Sequence, residues 1–202
     1  TIIPPEPMMA PALASSSKST AMSRCCSGMH PPAGPPVCTA SQMKEEDLVK
    51  WFQNIVVSPI RITNRLMPAM RAQKWGRVIV VGSTGMQHPI PTVALSNTLR
   101  ASIWGWLKTL AAEVAADGVT MNVLAPGSIL TDRITTNTAI RAKQTGVSED
   151  EILAQTAKEI PAGRIGMPAE YGPMGAFLAG ETGAYITASM IRVDGGRVRS
   201  ML

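Results

Sequence analysis

Residues 76–133 decide the fold and read GRVIVVGSTGMQHPIPTVALSNTLRASIWGWLKTLAAEVAADGVTMNVLAPGSILTDR. Two short apolar runs, residues 77–82 and 119–124, flank a long helical pattern from Ser96 to Ala116. Continuous apolar runs of this length are typical of strands that are buried on both faces of a parallel sheet. The stretch therefore predicts a strand, a helix and a second strand within an α/β fold, whose parallel sheet has roughly four strands flanked by helices.

Polar and turn-forming residues follow both predicted strands. Ser83 follows the first strand, and Pro126 and Gly127 follow the second. In open parallel sheets the ligand crevice lies beyond the carboxyl ends of the strands. We expect these three residues to face one crevice.

The composition is that of a globular protein with one sizeable core. The chain has 202 residues, of which 45% are hydrophobic and 16% charged. No apolar run approaches the roughly 20 residues that span a bilayer, and no secretory signal pattern opens the chain. The net charge of +5 is scattered, without a basic patch interleaved with aromatic residues. We expect a cytoplasmic protein that binds neither membranes nor nucleic acid.

Cysteines and histidines give no sign of a metal site. The three cysteines are Cys25, Cys26 and Cys38, and the histidines His30 and His88 are isolated beside prolines. No spacing among them matches a zinc site, and the adjacent cysteines make no useful disulfide framework.

Residues 1–40 differ from the rest of the chain. They contain eight of the sixteen prolines and only three charged residues, with no sustained periodicity. Such a segment buries too little apolar surface to offset its ordering entropy, so we predict irregular or disordered structure there. Residues 41–202 are predicted to form the folded domain.

Capping residues and prolines place the other elements. Thr39 or Ser41 is expected to cap a helix that runs through Ile55, and Pro59 to kink or divide it from a helix over residues 60–73.

Towards the carboxyl terminus, Ser148 opens a helix with a capping box, and Pro161 closes it. Pro168 suits the first turn of a further helix, and residues 185–193 are predicted to form the last strand.

Several motifs share the order and spacing of a known family. They are Trp75-Gly76-Arg77, Gly82-Ser83, Asn122 to Gly127 with Thr131-Asp132-Arg133, residues 160–170, Tyr185-Ile186-Thr187 and residues 193–196. From about residue 31 to residue 202 the chain resembles the short-chain dehydrogenases/reductases, particularly the 3-oxoacyl-carrier-protein reductase-like branch. The resemblance implies an oxidoreductase that acts on a small carbonyl or alcohol substrate with NAD or NADP.

The resemblance also assigns site positions. Ser83 matches the serine that hydrogen-bonds the substrate carbonyl. The family's catalytic tyrosine, and the lysine four residues later, are replaced by Ser96 and Arg100. Asn54 lies next to the position of the fourth catalytic residue, where counting without gaps puts Ile55.

The replaced pair has two interpretations. A serine hydroxyl is a far weaker acid than a phenol, whereas Arg100 keeps a positive charge and five donors for a ribose hydroxyl or an anionic group. Alternatively, Ser96 merely caps the helix and Arg100 lies on its solvated face.

The cofactor site is expected to be incomplete. By resemblance, Pro126, Gly127 and Thr131 line the nicotinamide and pyrophosphate; the alternative is a strand-ending turn and a helix cap. Neither GxxxGxG nor GxGxxG occurs in the chain. The first βαβ units of the fold and the glycine-rich cofactor loop are therefore predicted to be missing.

The long helix carries more apolar surface than one sheet face would cover. The residues concerned are Ile103, Trp104, Trp106, Leu107 and Leu110. Tryptophans on a helix surface are common interface anchors, so we predict a homodimer or homotetramer, with core packing accounting for some of these residues.

Two functional alternatives stay open beside an active reductase. The first is a catalytically inactive module that persists through dimerisation. The second is a fragment of a full-length reductase, in which a shifted reading frame accounts for the sequence upstream of about residue 30.

Overall fold

The computed structural model describes residues 34–201. Most of the predicted irregular segment lies outside the described residues, as do Cys25, Cys26 and His30. Among residues 34–201 no helix is long and apolar enough to cross a membrane. Within the same range no group of three His, Cys, Asp or Glu side chains is arranged to hold a metal ion.

A parallel sheet forms the centre of the described domain. Its strands are β1 (Gly76–Val81), β2 (Val119–Pro126) and β3 (Ser189–Val193), in the order β1-β2-β3. This confirms the α/β class with a parallel sheet flanked by helices. Of the roughly four strands predicted, three lie within the described part of the chain.

Residues 34–201 contain six α-helices. They are α1 (Glu45–Phe52), α2 (Ser58–Ala72), α3 (Ala94–Val114), α4 (Asp132–Thr145), α5 (Glu149–Lys158) and α6 (Pro168–Ala179). Helix α3 is the predicted crossover between β1 and β2. It begins two residues before Ser96, after Val93.

One stripe of α3 lies in the core. Its fully or almost fully buried side chains recur every three or four residues: Leu95, Leu99, Ile103, Leu107, Ala111 and Val114. This is the period of a helix with one buried face. The chain then turns at Gly118, whose φ of 73° is in the left-handed region that glycine tolerates, and enters β2.

The predicted cap of the first helix is wrong. Helix α1 begins at Glu45, after Lys44, without a side-chain cap. The hydroxyl of Thr39 instead donates to Oε1 of Gln42 at 2.9 Å, within a short 3₁₀ turn. The three acidic residues in the first turn of α1 still stabilise its amino-terminal end through the helix dipole.

Pro59 does not end the helix. A π turn over Gln53–Val57 joins α1 to α2, and Pro59 lies in the first turn of α2. The backbone N–H of Ser58 donates to the carbonyl of Gln53, and the Ser58 hydroxyl donates to the same oxygen at 2.8 Å. The widened turn lets the chain pass into Pro59 without a break, because proline cannot make the usual backbone hydrogen bond.

The N-cap of α5 at Ser148 is as predicted, but the last strand is shorter than predicted. The Ser148 hydroxyl accepts from the N–H of Glu151 at 3.3 Å. Strand β3 begins at Ser189 rather than residue 185, because Ala188 has a φ of 53° that is incompatible with an extended strand. The Thr187 hydroxyl, just before it, accepts from the N–H of Met121.

Candidate active site

Ser83 lies at the carboxyl end of β1, where the sequence places it. Its backbone is extended, and its Oγ accepts from the N–H of Gly85 at 3.1 Å. The hydroxyl therefore caps a short 3₁₀ turn. This bond uses only an oxygen lone pair, so the hydroxyl proton stays free for a ligand oxygen.

The turn after Ser83 packs against the start of α3. A Cβ on Gly85 would stand 3.3 Å from Oγ of Ser83 and would collide with Oδ1 of Asn97. Asn97 is fixed by its own Nδ2, which donates to the carbonyl of Ile90 at 2.9 Å. Ser83 is thereby held beside the first turns of α3, which carries Ser96 and Arg100.

Ser96 and Arg100 form a side-chain pair one helical turn apart. Nε of Arg100 donates to Oγ of Ser96 at 3.3 Å, and an Nη of the same guanidinium donates to the carbonyl of Val81 at 2.8 Å. The cap of α3 is Val93, so Ser96 is not a cap. Arg100 is anchored to the end of β1 rather than lying on a solvated face. Both simple structural alternatives are therefore wrong.

Tyr171, on α6, is anchored directly across from Arg100. Its hydroxyl donates to the carbonyl of Leu124 at 3.1 Å. Leu124 is the register partner of Val81, whose carbonyl accepts from Arg100. The two side chains thus hold paired residues at the ends of β1 and β2.

The charges at this edge act on one another. Burial lowers the pKa of Arg100, the neighbouring positive charge of Arg133 lowers it further, and Tyr171 has the opposite effect. Burial raises the pKa of Tyr171 to about 12. The Tyr171 phenol is weakly acidic, and its proton is already donated to a backbone carbonyl. It is therefore a poor substitute for the catalytic tyrosine whose position Ser96 occupies.

Pro126 and Gly127 pair with the end of β3. The N–H of Gly127 donates to the carbonyl of Val193 at 2.9 Å, and Pro126 pairs with Val193 in the β2–β3 register. A Cβ on Gly127 would stand 2.6 Å from Cα of Asp194. Glycine is required here by the end of β3.

Thr131 and the start of α4 offer a better match to a nucleotide. Helix α4 begins after Thr131 without a side-chain cap, and the Thr131 hydroxyl donates to the carbonyl of Ile129 at 3.3 Å. The first backbone N–H groups of α4 are therefore open to an oxyanion such as a pyrophosphate. The assignment of Thr131 to a cofactor site stays a prediction.

Asn54 lies in the π turn with an exposed side chain. Among residues 34–201, its amide makes no hydrogen bond to Ser83, Ser96 or Arg100. Its assignment as a site residue stays a prediction.

The positions of Arg133 and Tyr171 at this edge could not be predicted from the sequence. Arg133 stands within a quoted motif, but nothing in its spacing points to Arg100. Tyr171 lies 47 residues from its acceptor along the chain. The contact of Tyr171 with Leu124 has no local sequence signal, since it arises from the packing of α6 on the sheet.

This combination of a parallel sheet, a crossover helix and polar groups at the strand ends is that of a Rossmann-like α/β fold. The family model described as Enoyl-(Acyl carrier protein) reductase matches residues 26–197. The chain belongs to the short-chain dehydrogenase/reductase family and is similar to its 3-oxoacyl-carrier-protein reductases.

Curated relatives support this placement. The chain is 35% identical over 155 residues to the 3-oxoacyl-[acyl-carrier-protein] reductase FabG of Haemophilus influenzae, a match that covers 77% of this chain and 60% of that protein. It is 34% identical to FabG of Escherichia coli K12, of which 59% is covered. The chain thus spans about three fifths of the length of the curated relatives it matches.

Solved structures share the fold. YwfH, described as an NADPH-dependent reductase involved in bacilysin biosynthesis, matches with a TM-score of 0.78 and 27% identity over 84% of this chain and 65% of that one. The L-sorbose reductase of Gluconobacter frateurii, complexed with NADPH and L-sorbose, matches with the same TM-score, 26% identity and the same coverage.

Proposed function

We propose that this protein is an oxidoreductase that interconverts a small carbonyl compound and its alcohol with NADPH or NADH. The observation that carries the proposal is the Ser96–Arg100 pair, which is bonded to the end of β1 beside Ser83. This places two hydroxyl groups and one positive charge at the edge where α/β sheets bind ligands.

Reduction of a carbonyl group requires stabilisation of the negative charge that develops on its oxygen. A bound nicotinamide would supply the hydride to the carbonyl carbon. The Ser83 hydroxyl would donate to the carbonyl oxygen, and the positive charge of Arg100 would stabilise the alkoxide that forms. Ser96 accepts from Arg100, so its own proton can pass to the alkoxide and be replaced from water. One hydride and one proton together give the alcohol.

The cofactor is expected to bind weakly. Thr131 and the open N–H groups of α4 fit the pyrophosphate side. The sequence has no glycine-rich loop for the remainder of the dinucleotide. The NADPH complex of the Gluconobacter frateurii relative supports NADPH as the first cofactor to test.

The decisive experiment has two stages. Calorimetric titration with NADPH and NADH up to millimolar concentration tests binding. NADPH oxidation, followed at 340 nm with a panel of small ketones, then tests turnover. We expect Ser83→Ala to lower turnover about 100-fold, as loss of one donor to an oxyanion does. The matched control is Ser102→Ala on the exposed face of α3, whose hydroxyl only donates to the carbonyl of Thr98.

An absence of heat with both cofactors would refute the active-enzyme proposal. An inactive dimerising module or a reductase fragment would then be the better interpretation. Unchanged turnover in Ser83→Ala would instead remove Ser83 from the catalytic set.

Self-association is part of the proposal. Ile103 and Leu107 are buried in the core, and Trp104, Trp106 and Leu110 are partly buried and packed against it. Core packing therefore accounts for much of the apolar surface behind the predicted dimer. Val49 is 56% exposed and Phe52 is 40% exposed, so α1 offers apolar surface to a partner. A monomer by light scattering at micromolar concentration would refute the homodimer and homotetramer. The cytoplasmic location also stays a prediction.

A further inference from the structure

The side-chain amide of Asn97, near the start of α3, has one bonded end and one unused end. Its Nδ2 donates to the carbonyl of Ile90 at 2.9 Å. Among residues 34–201 its Oδ1 accepts no hydrogen bond. Because Nδ2 is the only donor of the side chain and faces the Ile90 carbonyl, the amide is held in one orientation. Oδ1 is therefore an acceptor in a fixed place.

This unused oxygen lies next to Ser83. A Cβ on Gly85 would stand 2.4 Å from Oδ1 of Asn97 and 3.3 Å from Oγ of Ser83. The separation of the two oxygens cannot exceed the sum of these distances, which is about two O–H···O hydrogen-bond lengths. Ser83 and Asn97 are both half-buried, so a small molecule can reach them. One such molecule can contact both oxygens at once.

The two oxygens offer opposite hydrogen-bonding roles. Oγ of Ser83 already accepts from the N–H of Gly85, so its proton is available to a ligand. Oδ1 of Asn97 has lone pairs and no proton. Both groups are held by bonds within the protein, so a ligand need not order them on binding. The pair suits a molecule with an acceptor and a donor on neighbouring atoms.

We propose that Asn97 determines substrate choice by accepting a hydrogen bond from a hydroxyl group next to the reacting carbonyl. The inference rests on the proposed function, in which Ser83 donates to the carbonyl oxygen. A carbonyl oxygen has no proton for Asn97, whereas a hydroxyl on the adjacent carbon has one. The substrate class is therefore an α-hydroxy ketone or α-hydroxy aldehyde. One hydride and one proton convert it to a vicinal diol.

A purely structural role of Asn97 leads to a different expectation. Through its bond to Ile90 the side chain also fastens the loop between β1 and α3. Loss of that bond would disturb Ser83 for every carbonyl compound alike. Loss of the acceptor at Oδ1 would affect only compounds that carry the hydroxyl. The ratio between a hydroxylated compound and its counterpart without the hydroxyl separates the two roles.

The first test measures binding, so that it does not depend on turnover. NMR titration of the isotope-labelled full chain, without cofactor and again with NADPH, compares hydroxyacetone with butanone, in which a methyl group replaces the hydroxyl. We expect hydroxyacetone to bind about tenfold more tightly and to shift the side-chain amide signals of Asn97. Equal binding of the two ketones, or binding of neither, would overturn the inference.

Asn97→Leu keeps the approximate size of the side chain and removes the acceptor. We expect it to bind hydroxyacetone about tenfold more weakly and butanone as the wild type does. Asn137→Leu, the same change at an exposed asparagine of α4, is the matched control and should alter neither. A variant that keeps the preference, or weakens both ketones equally, would contradict the inference. The wild-type comparison stands even if Asn97→Leu does not fold.

NADPH oxidation with the same two ketones separates this inference from the proposed function. Preferential binding of hydroxyacetone without turnover would refute the reductase and still support recognition of the hydroxyl by Asn97. Turnover with the same ratio of kcat/KM for the two ketones in wild type and Asn97→Leu would support the reductase and overturn this inference.

Discussion

Strands β1 and β2 have the same kind of sequence and different surroundings. Every residue over 119–125 in β2 is buried, whereas the interior of β1 is half-buried and Val81 is 52% exposed. Strand β2 has a neighbour on each side, while β1 pairs only with β2 among the described residues. A continuous apolar run therefore identifies a strand of a parallel sheet, but its neighbours determine how deeply it is buried.

The largest expected effect is at Asn122, the fully buried polar residue of β2. The Asn122 amide donates to the carbonyl of Ile186 at 2.7 Å and accepts from the N–H of Ser189 at 3.1 Å. Asn122→Ala leaves both groups without a partner, so we expect the free energy of unfolding to fall by about 3 kcal/mol. Urea denaturation measures it. Asn137→Ala on α4 is the control and should change stability by less than about 0.5 kcal/mol.

A matched valine pair tests the comparison directly. Val123 in β2 is fully buried, whereas Val81, the last residue of β1, is about half exposed. We expect Val123→Ala to lower the free energy of unfolding by about 2 kcal/mol through lost burial and a cavity. Val81→Ala should cost less than about 0.5 kcal/mol. Equal losses in chemical denaturation would mean that β1 is covered as fully as β2.

The junction of the two strands can be weakened at Tyr171. Tyr171→Phe removes the donor to the Leu124 carbonyl, which still accepts from the N–H of Gly82 at 2.9 Å. Because no acceptor is orphaned, we expect a loss of about 1 kcal/mol by urea denaturation. Tyr185→Phe is the control, since that side chain is fully exposed. A larger loss in the control would contradict this role for the hydroxyl.

The smallest effect concerns the start of α6, which lies over these strands. Arg164, followed by the backbone N–H of Met167, holds the pKa of Glu170 at about 2. A lowered carboxyl pKa stabilises the fold above its ordinary value near 4.5, and this contribution is lost as pH falls towards 2. Thermal denaturation of the wild type and Glu170→Gln should therefore converge over that range. A constant difference in melting temperature would refute it.

Local signals were sufficient for much of the fold. The β1–α3–β2 unit and the cap at Ser148 follow from neighbouring residues, and the structure confirms them. The start of α1 and the length of β3 were predicted wrongly. A threonine hydroxyl has competing local acceptors, and the left-handed backbone of Ala188 has no signature in its residue type.

The candidate site was only partly visible in the sequence. Ser83, Ser96 and Arg100 could be placed at one edge because strand ends and helical spacing determine their positions. The Arg100–Val81 and Tyr171–Leu124 bonds could not, since they depend on how helices cross the sheet. Long-range geometry of this kind leaves no periodicity to detect.

The π turn at Gln53–Val57 behaves as a one-residue insertion that the fold absorbs without a loop. The neighbouring buried residues Trp51 and Val56 are five apart, one more than an α-helix would place on the same face. The extra residue widens one turn and keeps the apolar stripe in phase with the core. An alignment without gaps would be shifted by one residue before this turn. This shift would explain why it assigns the position of the fourth catalytic residue to Ile55 rather than to the adjacent Asn54.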